Sequence, residues 1–130
     1  MLTQYKIFIY SSNPDKLVKF YTEVLGCRIV KKLEYELDYG YTLELSPGGM
    51  QIWLAKHSKI KGKNKDPFRY ILNIYTDNIN FYLKKARSYL GVTVVAEPFP
   101  MGPIIPGETR WVCTLLDPEN NCIQLMGKLE

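Results

Sequence analysis

The sequence predicts an α+β fold: two βαβββ units in tandem, forming a cupped, partly open mixed sheet with the helices on its outer face. Three observations carry this. Short apolar runs and one amphipathic stretch follow each other as β-α-β-β-β, and then the same order begins again. The caps and stops of the two helices are almost one period apart: Asn13 and Asp77 by 77 − 13 = 64, Gly26 and Gly91 by 91 − 26 = 65. Finally, 130 residues with 46% hydrophobic content suit one domain with its own core. That domain, 1–130, reads as unit 5–56, linker 57–68 and unit 69–127. A four-stranded sheet with one helix covers only one of its faces, so the two open faces are expected to share a cup.

Each element has a local reason. "YKIFIY" (5–10) is a strand. "NPDKLVKFYTEVLG" (13–26) is a helix, with Asn13 suited to the N-cap, Pro14 to the first turn and Gly26 to a left-handed exit. Its apolar residues Leu17, Phe20, Tyr21, Val24 and Leu25 recur at helical spacing. Strands are expected at 27–35, 41–46 and 50–56, the last two joined by the Pro47-Gly48-Gly49 turn. "HSKIKGKNKD" (57–66) is basic, has little to bury, and reads as a mobile linker. The second unit runs as strand 69–76, helix 77–91 capped by Asp77 or Asn78, strand 92–98, a Pro/Gly loop at 99–108, and strands 109–116 and 121–127. The last strand follows "DPENN", where proline fixes a turn and asparagines tolerate left-handed angles.

The totals exclude several classes. A net charge of +4 is too small to imply a nucleic-acid partner. No apolar run approaches the roughly 20 residues of a membrane span, and "MLTQYKIFIY" has no signal-peptide cleavage pattern. Cys27, Cys113 and Cys122 are an odd set without CxxC spacing, which fits reduced thiols and a cytoplasmic location.

"FYTEVLG" (20–26) after a strand and a capped helix start, and "DPENNCIQL" (117–125) at the end, together resemble the vicinal oxygen chelate superfamily, which includes glyoxalase I, bleomycin-resistance proteins and extradiol dioxygenases. Asn120 stands where that family usually has glycine. The resemblance spans roughly 5–127 and implies the cupped fold and a homodimer. In metal-dependent members it also implies four cup-lining ligands, usually His or Gln, Glu, His and Glu. Those ligands come from the first and last strand of each unit, the first of them seven residues before the helix cap. Carried over, the positions are Lys6, Trp53 (with Gln51 or Leu54 as fallback), Tyr70 and Gln124. Ammonium, indole, phenol and amide make a poor set for a transition metal, so no metal and no cofactor is expected.

Strand parity then assigns the two faces. Lys6, Phe8 and Tyr10 go to the cup with Gln51 and Trp53, as do Tyr70, Cys122 and Gln124. Ile7, Ile9, Ile71, Ile123 and Leu125 go to the helices. Arg110, after the Pro/Gly loop, is a candidate for a ligand carboxylate or phosphate, or for an exposed salt bridge. That loop is either a lid or a rigid crossover. His57, the sole histidine, has no partnered nucleophile. The lysine run 56–65 reads as solvated, and no aromatics interrupt it to stack on bases. The expected function is metal-independent binding of a small planar molecule, such as an antibiotic or metabolite. An alternative is a lyase, isomerase or dioxygenase, either metal-dependent or using Lys6 as base. An interaction module without ligand is a third.

Overall fold

A computed structural model describes all residues, Met1–Glu130. The chain divides into two compact units, Met1–Gly62 and Lys63–Glu130, and the division falls within the expected linker. The first unit holds β1 (Lys6–Tyr10), α1 (Pro14–Glu23), β2 (Arg28–Tyr35), β3 (Asp38–Glu44) and β4 (Gln51–Ala55). The second holds β5 (Ile71–Thr76), α2 (Ile79–Arg87), β6 (Thr93–Pro100), β7 (Trp111–Leu116) and β8 (Cys122–Gly127). Each unit is one open four-stranded mixed sheet, β1-β4-β3-β2 or β5-β8-β7-β6, in which the first and last strands pair in parallel. The βαβββ order predicted from sequence is therefore present twice.

Both helices are started by the same device. In α1, Asn13 Oδ1 accepts from the Lys16 N–H (3.2 Å) while the Asn13 N–H donates to Ser11 Oγ (2.9 Å). In α2, Asn78 Oδ1 accepts from the Phe81 N–H (3.0 Å) and the Asn78 N–H donates to Thr76 Oγ1 (3.1 Å). Each asparagine satisfies an N–H that a helix start leaves without a partner. The cap of α2 is thus Asn78 and not Asp77. The repeat offset becomes 78 − 13 = 65, equal to the offset of Gly26 and Gly91. Both glycines have positive φ, 73° and 90°, as a left-handed helix exit requires.

Each helix covers one face of its own sheet. In the first unit Leu17, Phe20 and Tyr21 are buried, as are Leu43, Ile52 and Leu54. A polar clasp adds to this packing: Asp15 Oδ1 accepts from Tyr39 Oη (2.6 Å) and Tyr41 Oη (2.5 Å), tying the first turn of α1 to β3. These two phenols hold the Asp15 carboxyl below its usual range, with smaller help from Lys32 and Lys56. In the second unit Ile79, Leu83 and Ala86 of α2 are buried, as are Leu115, Ile123 and Leu125.

Turns close the sheets. Asp117 is fully buried before β8. Its Oδ1 accepts from the Glu119 N–H (2.8 Å) and the Asn121 N–H (3.0 Å), and its Oδ2 accepts from Asn121 Nδ2 (2.9 Å). Asn120 takes φ 64° at the tip, a left-handed angle that asparagine tolerates better than most residues. Residues 56–66 are exposed throughout. The segment is nevertheless tethered at Asn64, whose N–H donates to the Glu119 carbonyl (2.8 Å), and it turns locally where the Ile60 N–H donates to the His57 carbonyl (3.0 Å).

Candidate functional site

Strand register fixes which side chains share a face, because paired residues point the same way. In the first unit Lys6 pairs with Gln51 and Phe8 with Trp53, while Tyr10 pairs with Ala55. These five predicted site residues, Lys6, Phe8, Tyr10, Gln51 and Trp53, therefore lie on one face. The other face carries Tyr41 and Leu54, which pair with each other, and Tyr41 reaches α1 through Asp15. Phe8 is 58% exposed, whereas Trp53 is buried. The Tyr10 ring meets Phe8 edge-on at 6.1 Å and His57 at 4.8 Å between centroids. Lys6 is exposed and lacks the burial that the base reading requires.

The second unit repeats this layout with different chemistry. Three rows cross β5, β8 and β7 on the face away from the aliphatic core: Ile71-Cys122-Leu116, Asn73-Gln124-Thr114 and Tyr75-Met126-Val112. The middle row is polar between two apolar ones. It corresponds to Phe8-Trp53-Thr42 of the first unit, so an aromatic pair in one half occupies the level of an amide pair in the other. Gln124 is half-buried on this face, and Cys122 is buried there.

Tyr70 does not join them. It lies before β5, is 84% exposed, and shares the parity of Leu72, which pairs with Ile123 of the helix-facing set. Ile71, assigned to the helices from sequence, is on the Gln124 face instead. The cause is the one-residue difference between Asp77 and Asn78 as cap. A slip of one residue exchanges the faces of a strand. Asn73 is the residue that sequence reasoning missed. Its Oδ1 is buried without a hydrogen-bond partner, the sole such side-chain atom. The signal was available: "ILNIYT" has one amide in an apolar strand, just as "CIQLMG" does.

A pocket of about 440 Å³ adjoins this face where β5 runs into α2 and β8 ends. Tyr75 and Met126 line it, with Asp77, Thr109, Arg110 and Lys128. The junction is tight because Gly127, at φ 147°, has no side chain. A Cβ there would lie 1.8 Å from the Thr76 carbonyl oxygen. Arg110, predicted as a site residue, reaches this pocket with its guanidinium carbon 5.4 Å from the Tyr75 ring centre. It also makes the salt bridge that was its alternative reading: Glu108 accepts from Arg110 Nε and Nη2, both at 2.8 Å. Glu108 accepts in addition from the backbone N–H groups of Thr109 (3.1 Å) and Arg110 (3.0 Å). The guanidinium, and after it these N–H groups, hold the Glu108 carboxyl down at about 2. So fastened, the end of the Pro/Gly loop is a fixed corner.

A metal site of the chelate type does not fit this chain. Counting seven back from the observed cap Asn78 gives Ile71 in place of Tyr70, so the four positions hold Lys6, Trp53, Ile71 and Gln124. An aliphatic side chain offers no donor at all. No group of three or more His, Cys, Asp or Glu residues is placed to hold a metal ion anywhere in the structure. The three cysteines are free and buried, and burial pushes the Cys27 and Cys113 thiols up to about 11.

Among family models, that of the Glyoxalase/Bleomycin resistance protein/Dioxygenase superfamily matches residues 4–125. No protein of curated function matches the chain. Solved structures that resemble it include the fosfomycin resistance protein FosX of Listeria monocytogenes, at 14% identity and TM-score 0.69, covering 97% of this chain and 93% of that one. The E144Q mutant of glyoxalase I from Zea mays matches at 17% identity and TM-score 0.70 over 95% of this chain and 44% of its own; the present chain thus spans less than half of that protein. UcmS2 matches at 18% identity and TM-score 0.71, covering 97% and 98%.

Proposed function

We propose a function from one premise: the chain belongs to the Glyoxalase/Bleomycin resistance protein/Dioxygenase superfamily. Within it, the protein binds a small, planar organic molecule without a metal ion. The donor set carries this reading. Where the family resemblance implies imidazoles and carboxylates, this chain has an ammonium, an indole, an aliphatic chain and an amide. Those groups suit apolar contact and hydrogen bonding, as small-molecule pockets use them. The polar row Asn73-Gln124-Thr114 beside Tyr75 and Met126 supports the same reading, as does the adjoining pocket. Sequestration of an antibiotic or metabolite is the role this chemistry serves. The three free cysteines favour the cytoplasm as its location.

A thermal-shift screen of divalent metals, planar metabolites and antibiotics tests the proposal. A ligand at 100 times its Kd stabilises the native state by about 2.7 kcal/mol. For a chain of this size that raises Tm by on the order of 10 °C. Organic compounds should give such shifts, and Ni, Zn, Fe and Mn should give none. A metal that copurifies at one equivalent would refute the reading. The homodimer implied by the resemblance is checked by light scattering on the same sample.

A further inference from the structure

The pocket beside Tyr75 says more about the ligand than its shape. Glu108 occupies the Nε–Nη2 side of the Arg110 guanidinium with two bonds of 2.8 Å. The same carboxylate is fixed by the N–H groups of Thr109 and Arg110. A guanidinium has five N–H donors in a rigid plane. With that side held by Glu108, no second acid pairs with the guanidinium, and the Tyr75 side chain is its other polar neighbour. Arg110 lines the pocket but Glu108 does not, so the ionic groups in the lining are Arg110, Lys128 and Asp77: two cations and one acid. Tyr75, 65% exposed, and Met126 add an aromatic ring and a thioether.

We infer that this pocket takes an aromatic monocarboxylate, with the carboxylate on the Nη1–Nη2 edge of Arg110, which no acid of the chain occupies, and the ring against Tyr75 and Met126. The inference rests on the small-molecule reading above and narrows it to an anion. A planar carboxylate matches the guanidinium fork with two parallel bonds, which a lysine cannot provide. Glu108 is a positioning residue: it orients the fork and does not itself touch the ligand.

Calorimetric titration with 2-naphthoate and its neutral counterpart 2-naphthamide tests this. The native chain should bind naphthoate at least tenfold tighter than naphthamide. Arg110→Met should remove the difference, and Arg110→Lys should restore only part of it. Glu108→Gln separates positioning from bulk charge. It removes a negative charge near the pocket, so a purely electrostatic site would bind naphthoate more tightly, whereas a loosened fork binds it several-fold more weakly. Arg110 is exposed, so its variants should keep the native Tm, and Lys61→Gln should leave both affinities unchanged. Equal affinities unaffected by Arg110→Met would overturn the carboxylate inference and leave planar-molecule binding standing. Failure of naphthoate to bind at millimolar concentration would also overturn the carboxylate inference, whereas the planar-molecule reading falls only if the thermal-shift screen is silent as well.

Discussion

Replacing Asp117 by alanine should cost this protein about 3 kcal/mol. The side chain is fully buried and accepts three hydrogen bonds of 2.8–3.0 Å inside the turn that enters β8. Alanine leaves the N–H groups of Glu119 and Asn121 without that acceptor. Each N–H stranded away from water costs about 1–3 kcal/mol. The turn residues are only half-buried, so water offsets part of the loss and the low end of that range applies to each. The lost Asn121 Nδ2 bond adds about 1 kcal/mol. Urea unfolding followed by circular dichroism measures the sum. With m of about 2 kcal/mol/M, the midpoint should fall by about 1.5 M with m unchanged. Asp117→Asn keeps one acceptor oxygen for the two N–H groups but turns an amide toward Asn121, so it should fall between. Asn120→Gly relieves a left-handed residue while loosening the unfolded chain, and should stay within about 0.5 kcal/mol of the parent. A midpoint shift below 0.3 M for Asp117→Ala would refute the claim that this carboxylate organises the turn.

Other outcomes follow from the same structure. Ellman's reagent should find no reactive thiol in the native protein and three after denaturation, since all three cysteines are buried; one fast-reacting thiol would contradict their packing. Gly127→Ala forces a Cβ onto the Thr76 carbonyl oxygen and should lower Tm by well over 10 °C, or prevent soluble expression. The Asp15 clasp should appear in the pH profile of stability. The folded carboxyl lies below its ordinary value, so its contribution is present above about pH 4 and is lost as pH falls through the folded pKa. Tyr41→Phe should flatten that acid limb, read by urea unfolding between pH 2 and 5, and an unaltered limb would exclude the clasp as its source.

Much of the fold was legible because its signals are local. Asn13, Pro14 and Gly26 punctuate α1 at the chain itself, and the second unit repeats the asparagine and the glycine, without the proline. The hairpin at Pro47-Gly48-Gly49 and the "DPENN" turn speak through backbone chemistry that needs no tertiary partner. Element ends were less legible. β6 continues to Pro100 and β7 starts only at Trp111, so the Pro/Gly loop sits two residues later than its composition suggests. β3 begins at Asp38, pairing with Tyr35 across a turn that carries no glycine between its strands. The site was half legible for one reason. Facing follows from counting, and Asp77-Asn78 offers two adjacent residues equally able to cap. Only the bond from the Phe81 N–H chooses Asn78, and that choice puts Asn73 beside Gln124 and turns Tyr70 away. Arg110 lines the pocket, and its pairing with Glu108 is a short-range feature that the loop-end sequence carries. The pocket's other walls come from residues far apart in sequence, Tyr75 and Met126, and no local pattern joins them.

The exposed segment around residues 56–66 has a consequence for handling the molecule. Between Lys56 and Arg69 there are six cations and one acid, a formal +5, so the other 116 residues sum to −1 against the total of +4. Electrophoretic mobility at neutral pH is therefore set by one short stretch. On a cation-exchange matrix the protein should adsorb through that stretch, in one orientation. Exchanging Lys59, Lys61, Lys63 and Lys65 for glutamine would bring the formal charge to zero and release it from the column without touching either sheet.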